Sequence, residues 1–176
     1  MLDNDLYVLM RQWLAVEAPR RGVTPCEFKL RFQPLHTGRP DERTVYMHVI
    51  GYRRIGQRGV KQVPTLTGIQ RTETQSRSTT LQFSVTQPLE LDDDTLTHGD
   101  VMNLIAASMQ GEPAIEWFRQ YGVSFERVTD VRQIYVNNDR DQNEENPSFD
   151  LVVKHNDIYV DAVPQITLFN FDLARV

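Results

Sequence analysis

Apolar positions in the first segment, DNDLYVLMRQWLAV (residues 3–16), recur at Leu6, Leu9, Met10, Trp13 and Leu14. That spacing predicts an amphipathic helix, with Asp3 or Asn4 placed to cap it. Residues 17–40 break the pattern with Pro19, Gly22, Pro25, Pro34, Gly38 and Pro40 and read as irregular. Inside them, CEFKLRFQPL alternates Cys26, Phe28, Leu30 and Phe32 with polar residues, the mark of a half-buried strand. Residues 44–52 are β-rich and apolar on both sides: Val45, Met47 and Val49 on one, Tyr46, His48, Ile50 and Tyr52 on the other. Such a strand needs cover on both faces, within the fold or from another subunit. Residues 78–86 alternate cleanly, with Leu81, Phe83 and Val85 inward and Ser78, Thr80, Gln82, Ser84 and Thr86 forming an uncharged polar face. About 20 residues join these two strands, too many for an ordinary connection. A long hairpin arm over 56–76, or a mobile loop, is the reading that follows.

Beyond the arm, Thr97 and Asp100 have capping-box spacing ahead of a helix whose inward positions are Val101, Leu104, Ile105 and Ser108 or Met109, closed by Gly111. Pro113 can open a short second helix, with Ile115, Trp117, Phe118 and Tyr121 on its apolar side. Three β segments follow, at 123–136, 149–154 and 158–163, and KHND (154–157) reads as a tight turn between the last two. Residues 137–148 form an acidic, exposed loop, and the tail, PQITLFNFDLARV, offers Ile166, Leu168, Phe169 and Phe171 for packing or a final edge strand.

The 176-residue length suits one domain spanning 1–176, long enough to bury a core without staples. No apolar run approaches the roughly 20 residues that cross a bilayer. The opening residues are acidic where a signal peptide is basic, so a cytoplasmic setting is expected. One cysteine, Cys26, rules out an internal disulfide framework; it is either a nucleophile or a small apolar filler, and filler is the commoner role.

Charge changes the picture more than composition does. The chain carries −5 overall, yet residues 53–77 carry five Arg and one Lys against Glu73 alone, a window of +5 in a remainder of −10. Segregation of this kind favours guided docking to a partner or to another copy.

Candidate chemistry is sparse. His36, His48, His98 and His155 lack metal-ligand spacing, and neither HExxH nor CxxC occurs. Consecutive carboxylates Asp92, Asp93 and Asp94 point apart in an extended chain and suit a solvated helix approach better than a metal. GYRRIGQRG has glycines without the order of a nucleotide-binding loop. Asp150 and Lys154 have the wrong spacing for a nuclease. No enzyme, metal site or cofactor is expected.

The element order resembles one family. A helix with DLYVLMRQWL leads to a strand TVYMHVIGYRRIG. The Thr/Gln-rich strand STTLQFSVTQP then precedes the helix GDVMNLIAASMQ, followed by YGVSFERVTDVRQI and SFDLVVKHNDIYVDAVPQITL. This succession is similar to the tail terminator (neck terminator) proteins of long-tailed bacteriophages. The resemblance implies an α+β fold, a mixed or mainly antiparallel sheet packed by two or three helices. It also implies a ring, typically of six copies, that caps the tail tube, joins it to the neck and leaves a channel for DNA. Tail tube protein, the neck or head–tail connector and the sheath are the implied partners, at the tail–neck junction of the virion after assembly in the host cytoplasm. On that basis Arg53, Arg54, Arg58 and Lys61 are candidates for inter-subunit or neck contacts, with the acids Asp92, Asp93 and Asp94 or those at 139–145 as candidate counterparts. The alternatives are a nucleic-acid-binding module using the same basic segment, a head-completion protein or a tail-tube subunit.

Overall fold

The computed structural model describes residues 3–24, 26–30, 42–66, 68–86, 96–133, 135–137 and 143–164. Among them, α1 (Asp3–Arg20) precedes β1 (Glu27–Leu30), β2 (Thr44–Thr65) and β3 (Gly68–Thr86). Next come α2 (His98–Gln110), α3 (Glu112–Arg119), β4 (Ser124–Val128), β5 (Tyr135–Asn137), β6 (Asn143–Glu145) and β7 (Ser148–Pro164). Five strands form one sheet in the order β1-β2-β3-β7-β4, with β1 parallel to β2 and every other neighbour antiparallel; β5 and β6 form a separate two-stranded sheet. The fold is therefore α+β, a mixed sheet with three helices.

One face of the sheet carries the core. Val45 and Met47 of β2, Leu81, Phe83 and Val85 of β3, and Phe149, Leu151 and Val153 of β7 are buried against Leu6, Met10 and Leu14 of α1 and Val101, Met102, Ile105 and Met109 of α2. Phe83 and Phe149, directly opposite in register, stack at 4.9 Å with planes 4° apart. A second aromatic group runs through Trp13, Trp117, Phe118 and Phe125, with Trp117 edge-on to Phe118 at 4.7 Å, and ties α1, α3 and β4 together. Of these, the fully buried Phe83, Phe118 and Phe149 contribute roughly 1.5–3 kcal/mol each.

Helix ends follow their local chemistry. Thr97 accepts from the Asp100 amide at 3.1 Å while the Asp100 carboxylate accepts from the Thr97 amide at 3.2 Å, the reciprocal capping box the spacing predicts. The inward positions Val101, Ile105, Ser108 and Met109 are buried as expected, and Leu104 is half-buried. On α3, Phe118 is buried but Ile115 is exposed, and Tyr121, just past the helix end, is exposed too. The first helix runs past residue 16 to Arg20, with Pro19 in its last turn. It ends where Gly22 takes φ 78°, so that the amides of Gly22 and Val23 reach back to the carbonyls of Pro19 and Ala18.

Two strand readings are corrected. The segment 154–157 is no turn: β7 runs unbroken from Ser148 to Pro164, paired with β3 in continuous register from Ser84↔Ser148 to Gly68↔Pro164. Turn-prone residues are overridden because His155 and Asp157 continue the inward parity of Leu151 and Val153 and are themselves buried. The β segment expected over 123–136 divides into β4, an isolated bridge at Arg132↔Ser148, and β5. The acidic stretch 137–148, expected as a loop, includes β6, and its residues 138–142 lie outside the described residues, as do 165–176.

The long connection is a hairpin arm. β2 and β3 remain paired out to Thr65↔Gly68, and β7 flanks β3 over the same length, so the arm has three strands. From Tyr52 to Thr65 β2 is exposed except at Ile55.

Candidate functional site

The arm's root is built where the inward face of the sheet leaves the apolar core. Along β3 the parity of Phe83 and Leu81 continues through Thr79, Arg77, Gln75 and Glu73; along β7 that of Val153 continues through His155, Asp157 and Tyr159. Arg77 occupies the centre. Its guanidinium pairs with Asp3 at the start of α1, lies 3.3 Å from Asp157 Oδ2, and sits 4.7 Å from the ring centre of Tyr52. The Tyr52 hydroxyl donates to Asp3 at 2.6 Å. That hydrogen bond, with burial and the carboxylate's charge, pushes the Tyr52 phenol up to about 12. Asp3, expected as a helix cap, instead fastens α1 to β2 and β3.

His155 is buried behind Arg77. Its Nε2 is 3.0 Å from Thr79 Oγ1, and its Nδ1 is 3.4 Å from Asp157 Oδ1. Burial and the neighbouring Arg77 cation push its pKa below the usual histidine value, against the opposing pull of Asp157. The ring is therefore neutral near pH 7.

Further out, β2 bulges between Ile55 and Gly59, placing three residues opposite Gln75 alone. Gly56 turns the chain there at φ 67°, a left-handed conformation that side chains with a Cβ resist. The buried Gln75 amide fills the bulge, donating to the Ile55 carbonyl at 3.0 Å and the Ser76 carbonyl at 3.1 Å. Glu73 is also buried; it pairs with Arg58 across the bulge and with Arg71 at 2.6 Å. Arg58 lies over the Tyr159 ring at 5.7 Å.

The four predicted basic contacts therefore divide. Arg58 is held by Glu73, whereas Arg53, Arg54 and Lys61 are exposed along β2 with no ion pair among the described residues. Arg53, Arg54 and Arg58 share a cleft at the root with Tyr52, Arg77 and Asp157. Asp92, Asp93 and Asp94, and residues 139–142, lie outside the described residues. The Asp3–Arg77–Asp157–His155 group was not anticipated from sequence. Its signal was present in the unbroken inward alternation of Leu151, Val153, His155 and Asp157.

Among the described residues no group of three or more His, Cys, Asp or Glu side chains could hold a metal ion, and no helix is long and apolar enough to cross a membrane. Burial pushes the Cys26 thiol up to about 11, away from the reactive thiolate. Asp150 pairs with Arg132 at 2.9 Å and Lys154 with Glu126 at 3.5 Å, which accounts for both charges structurally.

No curated protein matches the chain. A family model does: residues 5–165 match the E217 gateway protein gp29 family. The matched span takes in α1 from Asp5 onward, the whole sheet and the arm, and of the root residues it leaves out Asp3. The chain thus belongs to the E217 gateway protein gp29 family, structural phage proteins of the head–tail connector type.

Proposed function

We propose that this chain forms a closed ring at the junction of phage head and tail, where it caps the tail tube, joins it to the neck and leaves a channel for DNA. The observation that carries this reading is a basic three-stranded arm, tied to α1 at its root through Arg77 and Asp3, on a chain of the gateway family. An arm exposed over most of β2 and fixed to α1 through Arg77 is built to reach a neighbour at a set angle. Arg53, Arg54, Arg58 and Lys61 supply contacts to adjacent copies or to the neck protein, with Asp92, Asp93, Asp94 and the acids at 139–145 as their counterparts. A heterologous ring accommodates such segregation, since the basic side of each subunit meets the acidic side of the next. Capping tail tubes this way stops their polymerisation.

Native mass measurement with negative-stain imaging, on the protein alone and on purified tails, tests the reading. One ring per tail end is expected. Long stacks would make the chain a tube subunit instead, and failure to assemble in either setting would overturn the ring.

A further inference from the structure

The two outer edges of the arm differ in a way that selects a partner. On one side, residues 53–63 of β2 have no strand beyond them among the described residues, because β1 pairs only with Thr44–Met47. This edge carries Arg53, Arg54, Arg58 and Lys61 and no acid, and it is interrupted by the bulge at Gly56. On the other side, residues 158–163 of β7 have no strand beyond them among the described residues, because β4 reaches no further than Lys154. This edge carries no cation, an exposed Asp161, and apolar side chains left open to solvent: Ile158 is 60% exposed and Val160 55%. Exposed edge strands in folded proteins are normally blunted by charge, proline or a bulge, as the β2 edge is. Over 158–163 the β7 edge has neither proline nor bulge, and Asp161 is its one charge.

We infer that the β7 edge of one copy, residues 158–163, pairs backbone to backbone with the β2 edge of the next copy, residues 53–63, joining successive arms into one continuous sheet. This rests on the ring reading above and supplies its seam. The occupant is argued from charge and geometry. Two β2 edges would oppose cation to cation, and two β7 edges would bring the Asp161 carboxylates together; only the mixed pair sets the acidic edge against the basic one. The two edges are opposite sides of the same arm, so their pairing is head-to-tail, the type that closes into rings. Because β2 and β7 are both antiparallel to β3, they run in the same direction within the arm. Around a rotational ring the seam is then a parallel pair, as β1 and β2 already are within the chain.

Register restricts the seam further. Lys61, Thr72 and Val160 lie side by side across the three strands, so Lys61 shares a sheet face with Ile158, Val160 and Ala162. Any shift between copies that keeps this face outward changes by two residues at a time.

The test uses the full chain with Cys26→Ser. Lys61→Cys is combined in turn with Ile158→Cys, Val160→Cys and Ala162→Cys, each position being exposed. Cross-linked cysteines need Cα atoms within about 7 Å, which neighbouring strands satisfy in register. After mild oxidation of the assembled ring, at least one pair is expected to give a ladder of covalent multimers, while Lys61→Cys and Val160→Cys alone run as monomers. A native mass showing an intact ring with no ladder from any pair would overturn the edge pairing and leave the ring standing. Dimers from Val160→Cys alone would overturn it in favour of two-fold β7–β7 pairing. Loss of every assembly, including on tails, by the Cys26→Ser chain would overturn ring and seam together.

Discussion

The guanidinium of Arg77 in β3 lies 3.3 Å from the carboxylate of Asp157 in β7, and the same group pairs with Asp3 at the start of α1. One side chain thereby links the helical layer to two strands of the arm, with Tyr52 of β2 stacked against it. The arm's direction relative to the core is set by charge pairing, since the apolar core ends at Val153.

Replacing Arg77 with Leu leaves the buried Asp157 and the half-buried Asp3 without their cation. Removing one partner of a buried ionic group costs about 3 kcal/mol or more, because the stranded charge remains. A corresponding fall in the urea midpoint is expected. Arg77→Lys keeps the charge but loses the planar stack on Tyr52 and should fall between Leu and the native residue. Equal midpoints for native protein and Arg77→Leu would show that the root is dispensable for folding.

Acid should loosen the same root. The folded-state pKa of His155 is lowered by burial and by Arg77, while in the unfolded chain it has the ordinary value of about 6.5. Unfolding therefore takes up a proton in the window below that ordinary value. The stability from keeping His155 neutral is fully present above about pH 6.5 and is lost as pH falls through the lowered folded value. The thermal stability of the native protein should fall as pH is lowered below about 6.5, and His155→Gln should reduce that pH dependence. A His155→Gln chain with the native pH slope would assign the effect to other groups.

The bulge gives a more local expectation. Gln75 is buried and satisfies the Ile55 carbonyl, so Gln75→Ala leaves that acceptor unmatched and a small void beside it. A loss of about 1–3 kcal/mol is expected. Hydrogen exchange should rise at 55–59 well before it rises at 44–49, where Tyr7 accepts from the Val49 amide at 3.0 Å and α1 covers the sheet. Uniform exchange along β2 would show that Gln75 does not hold the bulge.

How far the sequence carries the fold follows from the range of the interactions involved. The stripes of α1 and α2, the capping box at Thr97 and the alternation of Leu81, Phe83 and Val85 are local patterns, and all are present. The hairpin arm was inferable from the excess length between 52 and 78. The length of β7 was not, because Lys154, His155, Asn156 and Asp157 are turn-prone by local propensity and become strand only through pairing with β3 about 80 residues away. The root was hidden for the same reason. Asp3, Arg77 and Asp157 are far apart in the chain, and only the register of the finished sheet brings them together.

Exposed and paired arginines of the arm should behave differently. Arg53, Arg54 and Lys61 have no ion pair among the described residues, so Arg53→Glu, Arg54→Glu and Lys61→Glu together should leave folding nearly unchanged, each within about 0.5 kcal/mol. If these cations meet acidic surfaces of neighbouring copies or of the neck, the triple variant should assemble poorly while melting like the native chain. Native assembly should also weaken with rising salt, since exposed charges are screened over about 8–10 Å near physiological ionic strength. Adding Arg58→Glu sets two acids face to face at Glu73 and should lower the melting temperature as well, which separates a folding defect from an assembly defect. A DNA role would instead make the triple variant lose a salt-sensitive gel shift while its rings remain intact. Unchanged assembly of all four substitutions across ionic strengths would remove the arm's charges from the assembly contacts.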